Sequence, residues 1–425
     1  MNKGNYFSHS LNEADPEIAA AIANEGDRQC NQIELIASEN FVSNAVLAAQ
    51  GSVFNNKTVE GYPGKRYYGG AQFADRVESL AIERACQLFN CAYANVQPHS
   101  GSNANQAVYL ALLEQGDTIL SMDIDCGGHI SHGHPATLAG RDYRIVPYGV
   151  TPDTGQIDYD AVEALTVQHK PKMIIAGGSA YPRIIDFGRL RLIADKVDAC
   201  FLADIAHIAG LVATGLHPNP FPHAHIVTTT TYKSLRGARG GMILADDKKL
   251  GKKINNAVFP GVQGSVLLHG VAAKAVCLGE ALQPEFKQYN QTVLDNARIL
   301  AKTLLAADVG LVSGGTDTGM LLVDLTTKGL TGDIAVDSLE AAGLTCNKNL
   351  IPFDPQPAEI ASGLRLSTNA GTTRGFGEEE FQHVGQWIGQ VLDGLVKNND
   401  KNQTVETLVR ERVTQLCDRF PFYSM

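Results

Sequence analysis

Lys233 closes a run of four threonines, and a turn of glycines and arginines follows it (TTTTYKSLRGARGG, residues 228–241). An amine at that point can attack a carbonyl and form a Schiff base once it is neutral. A second reactive group sits 29 residues upstream. There an apolar stretch, CFLADIAHIAG, ends in Asp204, and His207 follows three residues on. That interval holds one helix-and-strand excursion, so two neighbouring strands could deliver Asp204 and Lys233 into one pocket. A Schiff-base lysine with an acid facing a protonated pyridine nitrogen is the arrangement that pyridoxal 5'-phosphate (PLP) requires. Taken singly, Asp204 could instead cap the next turn, and Lys233 could be a surface lysine.

Three further stretches could complete such a site. PHSGSNANQAV sets Ser100, Gly101 and Ser102 just before a helical pattern, where free N–H groups, hydroxyls and the helix dipole can cradle a phosphate. An ordinary Ser/Asn helix cap has the same composition. Arg236, Gly237, Arg239 and Gly240 make a cationic turn suited to anions. In SGLRLSTNAGTTRGF, Arg365 stands like a strand arginine facing a pocket, the natural bidentate partner of a carboxylate. Arg374 is a less specific candidate, and a structural ion pair fits either position.

The elements that must position these residues follow from hydrophobic patterning. Residues 14–29 have helical spacing, with Asp15 as cap and Pro16 in the first turn. Residues 40–70 read as an irregular loop. From residue 72 onward, apolar runs (YANVQP, TILSMD, PKMIIAGG, CFLAD, HIVTTTT, GGMILA) alternate with helical segments. That pattern predicts an α/β fold with a parallel sheet covered on both faces and ligands at the strands' carboxyl ends. Past residue 280 the pattern becomes that of a smaller α+β unit, with a polar break at 398–404. The expected organisation is an N-terminal helical arm (1–50), a large domain (51–285) and a small C-terminal domain (286–425). The chain has 425 residues, 44% hydrophobic and 19% charged, with net charge −10. This balance disfavours nucleic acid as a partner. The 8 cysteines are scattered without a CxxC or Cys/His cluster, so reduced thiols and no metal are expected. No secretory h-region and no apolar run of about 18–20 residues is apparent, which predicts a cytoplasmic protein without a membrane span.

Together these motifs resemble the serine hydroxymethyltransferase family, PLP enzymes of the aspartate aminotransferase fold (fold type I). LIASEN, EGYPGKRYYGG, PHSGSNAN, GGHISHG, DIAHIAGLVA, TTTTYKSLRGARGG, FPGVQG, NKNLIPFD and SGLRL carry the resemblance, which runs from about residue 12 to 397. It implies a large domain with a mainly parallel seven-stranded sheet and a smaller α+β domain. It implies that Lys233 holds PLP, Asp204 pairs with the pyridine nitrogen, and His129 stacks on the ring. His207 and Ser179 would lie near the phenolic oxygen, and Gly101 and Ser102 at the phosphate. The same pattern puts Thr230 in the catalytic set and Gly264 at the cofactor. Arg365, helped by Ser38, would clamp the substrate carboxylate. Glu60 and Tyr68 would enter from a neighbouring subunit, with Glu60 moving protons near the hydroxymethyl group. Ile124, Ile130 and Asn349 would hold the pterin of tetrahydrofolate. A site built by two subunits implies a homodimer, or a tetramer of such dimers.

The chain departs from the family pattern at Thr58 (NKTVEG for NKYAEG), at Tyr232 where histidine precedes the lysine, at Ser265 and Val266 for Gly-Pro, at Asn369 for proline and at Asn103 for glutamine. Thr58 and Tyr232 are expected beside the substrate. Loss of one ring and a change of bulk and proton chemistry next to Lys233 suggest a pocket reshaped around Cα. In these departures the chain resembles the related α-methylserine (2-methylserine) hydroxymethyltransferases, and that resemblance implies D-alanine as the product. The alternatives are a serine/glycine hydroxymethyltransferase, a folate-independent aldolase acting on β-hydroxy-α-amino acids, and a non-catalytic PLP-binding homologue.

Overall fold

The computed structural model describes residues 6–398 and 401–423. Residues 399 and 400, within the polar break expected at 398–404, lie outside the described residues. The large sheet has seven strands: β1 (Tyr93–Asn95), β2 (Thr118–Met122), β3 (Arg144–Tyr148), β4 (Met173–Ala176), β5 (Cys200–Asp204), β6 (Ile226–Thr230) and β7 (Gly241–Ala245). Their spatial order is β1-β7-β6-β5-β4-β2-β3. Every pair among β6, β5, β4, β2 and β3 is parallel, and β7 runs antiparallel to both β6 and β1. The carboxyl ends of β1, β5 and β6 therefore share one edge with the start of β7. Register sets Asp204 opposite Thr228 and Thr230 opposite Gly241. The mid-sheet strands are buried throughout, which is why they read as continuous apolar or β-branched runs rather than alternating ones.

Two elements of this sheet region were not expected. Strand β3 (RIVPY) carries Pro147, a residue that speaks against a strand in the sequence. It is tolerated because β3 is an edge strand. The helix Tyr159–His169 connects β3 to β4. Residues 40–70 are also more regular than a loop. They contain the helix Asn44–Gln50, capped by Ser43, and a hairpin pairing Gly61–Tyr62 with Lys65–Arg66. The hairpin is fixed from below by a buried ion pair. Arg66 donates to Asp75 and, at 2.5 Å, to the buried Glu78 of the helix Gln72–Phe89. Such tertiary anchoring leaves no periodicity for the sequence to display.

A second sheet is antiparallel: β8 (Gly310–Leu311), β9 (Met320–Asp324), β10 (Asn347–Asn349) and β11 (Gly363–Ser367), in the order β8-β9-β11-β10. Leu321, Val323, Leu364 and Leu366 of this sheet pack with Leu300, Leu304, Val384 and Ile388 from the helices Pro284–Ala306 and Glu378–Asn398. The N-terminal helix Pro16–Asn31 is capped by Asp15, as its sequence predicts. The chain then pairs Ile33–Glu34 with Leu344–Thr345, so Ile33 and Leu35 join this second core, whereas Val46 belongs to the core under the large sheet.

Arg374 closes this arrangement. Its buried guanidinium donates to the carbonyls of Gln29, Cys30, Gln32, Cys417 and Phe420, which lie at the carboxyl ends of the helices Pro16–Asn31 and Gln403–Asp418. A cation among the unpaired carbonyls of two helix ends is favoured by both dipoles. The arginine that competed with Arg365 as a carboxylate clamp is thereby engaged elsewhere. Arg374→Ala is expected to lower stability by about 3 kcal/mol, because five carbonyls at two helix ends lose a shared, buried donor together. Urea denaturation followed by circular dichroism measures this. Arg374→Lys, with three donors for five carbonyls, should recover only part of the loss.

Candidate active site

The chemistry-bearing residues converge at the shared edge of the large sheet. Asp204 ends β5 and is held from two sides. His132 Nε2 lies 2.9 Å from its Oδ2, and Asn105 Nδ2 donates to the same oxygen at 3.0 Å. The Ala206 N–H donates to Oδ1. A carboxylate can only accept, so the His132 proton facing it sits on Nε2. Burial opposes ionisation of Asp204, but the hydrogen bond and charge of His132, with His129 and Asn105 behind it, outweigh burial and hold the carboxyl well below the usual carboxylate range. Asn105 is itself fully enclosed. It donates to Ser131 Oγ and accepts from Thr228 Oγ1, which explains one of the four threonines.

Lys233 follows β6 in the turn that leads back into β7. Its side chain is buried, with Nζ 3.2 Å from His207 Nε2 and, among the described residues, no carboxylate bonded to it. Burial draws its amine down to about 8, with Asp204 opposing and Arg365 and Arg239 adding to the fall. His207 is pushed well below its ordinary value by burial and by the cationic Lys233 and Arg365, so it is neutral and its Nε2 accepts from Lys233. Asn40 fixes the backbone here, donating to the Lys233 carbonyl at 2.9 Å. The Tyr232 ring lies near two cations: Lys233 Nζ is 5.9 Å and the Arg239 guanidinium 4.5 Å from its centre.

His129 begins the short turn Ile130–His132 and accepts the Ser131 N–H at its Nδ1. Burial and the neighbouring His132 lower it to about 4, so the ring is neutral with its proton on Nε2. Ser179 follows β4, and its carbonyl accepts from Arg365 Nη1 at 3.0 Å. Arg365 is on β11 of the small sheet, opposite Asn347, whose Oδ1 it also meets. The Arg365–Ser179 contact ties the small sheet to the segment that follows β4.

Gly101, Ser102, His129, Ser179, Asp204, His207, Thr230, Tyr232 and Lys233 line one cleft. The residues present fit a phosphorylated pyridine aldehyde. Gly101 opens the helix Gly101–Leu112, and a Cβ there would meet Thr230 Cγ2 at 2.8 Å, so only glycine leaves this cradle open. The Thr230 hydroxyl is buried at the cleft without a protein partner among the described residues. A free hydroxyl, a helix N-terminus, a reactive amine and an ionised acid are what phosphate, aldehyde and ring nitrogen need.

Other expected residues lie elsewhere in the single chain. Ser38 lines an adjoining cavity that shares Tyr232 with the cleft. Thr58 is exposed, Glu60 half-buried, Tyr68 50% exposed and Gly264 exposed, on two stretches joined by Ser265 Oγ, which bonds both N–H and C=O of Val59. Ile124 is half-buried, Ile130 54% exposed, and Asn349 ends β10 with its amide turned to the Leu350 carbonyl. Sequence reasoning missed His132, Asn105 and Asn40. His132 had a signal, as the second histidine of GGHISHG. Asn105, one turn beyond Gly101 on the inward face of its helix, also had one.

The amine of Lys233 is expected to titrate near pH 8 in the cofactor-free protein, protonated below and nucleophilic above. Competitive acetylation with acetic anhydride, read peptide by peptide in a mass spectrometer, checks this. The Lys233 profile should have its midpoint about two units below that of exposed lysines.

A model of the serine hydroxymethyltransferase family matches residues 11–388. The chain is 60% identical over 418 residues to a serine hydroxymethyltransferase of Paramagnetospirillum magneticum, covering 98% of both chains. It is 59% identical to one of Rhodospirillum centenum, covering 98% of this chain and 97% of that one. It is 58% identical to serine hydroxymethyltransferase 2 of Rhodospirillum rubrum, with the same coverage. The family uses PLP, with tetrahydrofolate as co-substrate, on fold type I, and the architecture described above is that α/β fold. Among the described residues no helix is long and apolar enough to cross a membrane. With a family model over most of its length and relatives near 60% identity, the chain belongs to the serine hydroxymethyltransferase family of PLP-dependent enzymes.

Proposed function

We propose that this protein transfers a hydroxymethyl group from L-serine to tetrahydrofolate, giving glycine, methylenetetrahydrofolate and water. The observation that carries the reading is the buried Lys233 amine, bonded to neutral His207 and in one cleft with an ionised Asp204. The names of the relatives favour serine over the α-methylserine expected from the sequence. PLP, when bound, supplies an electron sink for the pair left on Cα as the Cα–Cβ bond breaks. The chain's own residues supply the rest. Lys233 would hold the aldehyde carbon, and Asp204, kept ionised by His132 and Asn105, would keep a proton on the ring nitrogen. Gly101, Ser102 and Thr230 would take the phosphate. His129 would lie against the ring, with Ser179 and neutral His207 near its oxygen. Arg365 would orient the amino-acid carboxylate with Ser38 beside it, and Ile124, Ile130 and Asn349 would meet the pterin.

Glu60, Tyr68 and Gly264 fall outside the cleft of their own chain, which supports a homodimer whose second copy completes each site. Mixing Lys233→Ala with Glu60→Gln, each inactive alone, should restore about a quarter of wild-type activity through heterodimers carrying one intact site. No recovery would mean that Glu60 serves its own chain or has no role.

One observation favours a second reading, α-methylserine as donor and D-alanine as product. Tyr232 lines the cleft beside Lys233, and the altered segments at Thr58–Val59 and Ser265–Val266 are in direct contact, so they repack as a unit. Turnover of L-serine and α-methyl-L-serine, each with PLP and tetrahydrofolate, separates the two. Glycine release at a rate typical of enzymes, above about 1 per second, supports the serine reading. In that case Thr58→Tyr with Tyr232→His leaves serine turnover within about threefold. D-Alanine with little glycine, and a double variant that gains serine turnover, would reverse the assignment. Product without tetrahydrofolate would mark a folate-independent aldolase.

A further inference from the structure

Lys274 is a buried cation that no part of this chemistry has claimed. It lies on the helix Leu268–Ala281, and its Nζ donates to the carbonyls of Val96 (2.8 Å), Pro98 (2.8 Å) and Gly241 (3.1 Å). Three carbonyls call for three N–H donors, which only the ammonium has. Burying an amine costs free energy, and burial pulls this one down to about 7, with Glu78 opposing. Among the described residues no carboxylate bonds to it. Glu78 is itself paired with Arg66 and bonded to Gln97. A buried charge held only by backbone carbonyls calls for an explanation beyond packing.

Its place in the fold supplies one. Val96 and Pro98 lie between the end of β1 and Ser100, the cap of the cradle helix. Gly241 begins β7, and its N–H also donates to the Pro98 carbonyl. A Cβ on Gly241 would stand 2.3 Å from the Ser100 carbonyl, so this backbone runs directly against the cradle. The preceding residue, Gly240, leaves room for the lysine itself, since a Cβ there would meet Lys274 Cε at 2.2 Å. Gly240 also pairs back to Thr231, two residues before Lys233. The ammonium thus clamps the two backbone stretches that set Ser100–Ser102 against β6.

We propose that Lys274 is a positioning residue for the phosphate cradle, fixing the approach of Ser100–Ser102 from behind and placing a buried positive charge at its back. This rests on the reading that the cradle takes the phosphate of PLP. The test compares binding of PLP and of pyridoxal, which lacks the phosphate, to cofactor-free protein by absorbance titration. Both form the same bond to Lys233, so their affinity ratio isolates the phosphate.

Wild type should prefer PLP by about 100-fold or more, and Lys274→Met should cut that preference about tenfold while pyridoxal binding changes by less than about threefold. A preserved ratio in Lys274→Met, or equal weakening of both ligands, would overturn the proposal and leave Lys274 a packing residue. A wild type that does not discriminate would instead sink the cradle reading, and the proposal with it, before any substitution is made. Should Lys274→Met not fold, Lys274→Gln, which keeps two donors but no charge, is read by the same ratio.

Discussion

Ionised Asp204 is the constraint from which the rest of the cleft follows. A carboxylate enclosed at a sheet edge needs donors, and the fold supplies them from three separate elements. His132 comes from the short turn after β2, Asn105 from the cradle helix, and the Ala206 N–H from the turn after β5 itself. Asn105 is also what β6 bonds to through Thr228, and what Ser131 bonds to beside His129. One amide side chain therefore sets the spacing between the acid, the ring-facing histidine and the strand that precedes Lys233. The effect is electrostatic as well as geometric, because the donors that orient Asp204 are the ones that keep it charged.

The same cleft is where the two sheets meet. Large-sheet residues end in loops rich in backbone donors, whereas the small sheet contributes one long cationic side chain. Arg365 reaches across to the Ser179 carbonyl from a strand whose core packs against unrelated helices. That contact uses one guanidinium nitrogen, and the partner at Asn347 is a long 3.3 Å from another. A guanidinium has five donors, so capacity remains for a ligand carboxylate.

Much of this was legible in the chain, and the parts that were not have physical reasons. The α/β alternation, the cap at Asp15 and the delivery of Asp204 and Lys233 to one cleft by adjacent strands could be read because period, cap chemistry and spacing are local properties. Strand β3 could not, since its proline is permitted only by an edge position that no local rule reveals. The hairpin at 61–66 could not either, because Arg66 and Glu78 hold it from outside. At the site, residues that would touch a ligand announced themselves by type, as lysine, aspartate and histidine do. Asn105, Asn40 and Lys274 act on other residues rather than on a ligand, and an amide or a lysine looks like a surface residue until the backbone around it is seen. Arg374 marks the converse. It resembled a ligand-binding arginine, and its neighbours prove to be helix ends.

The reversed direction of β7 has its own consequence. In an all-parallel sheet the chain leaving β6 would travel the length of a crossover before returning. Here it turns back at once, and Gly241 pairs with Thr230. The ten residues that carry Lys233 are thus a short span anchored at both abutments to the same sheet edge. Such a span cannot swing as a flap. Whatever travel the amine makes between its partners is left to the four methylenes of its own side chain.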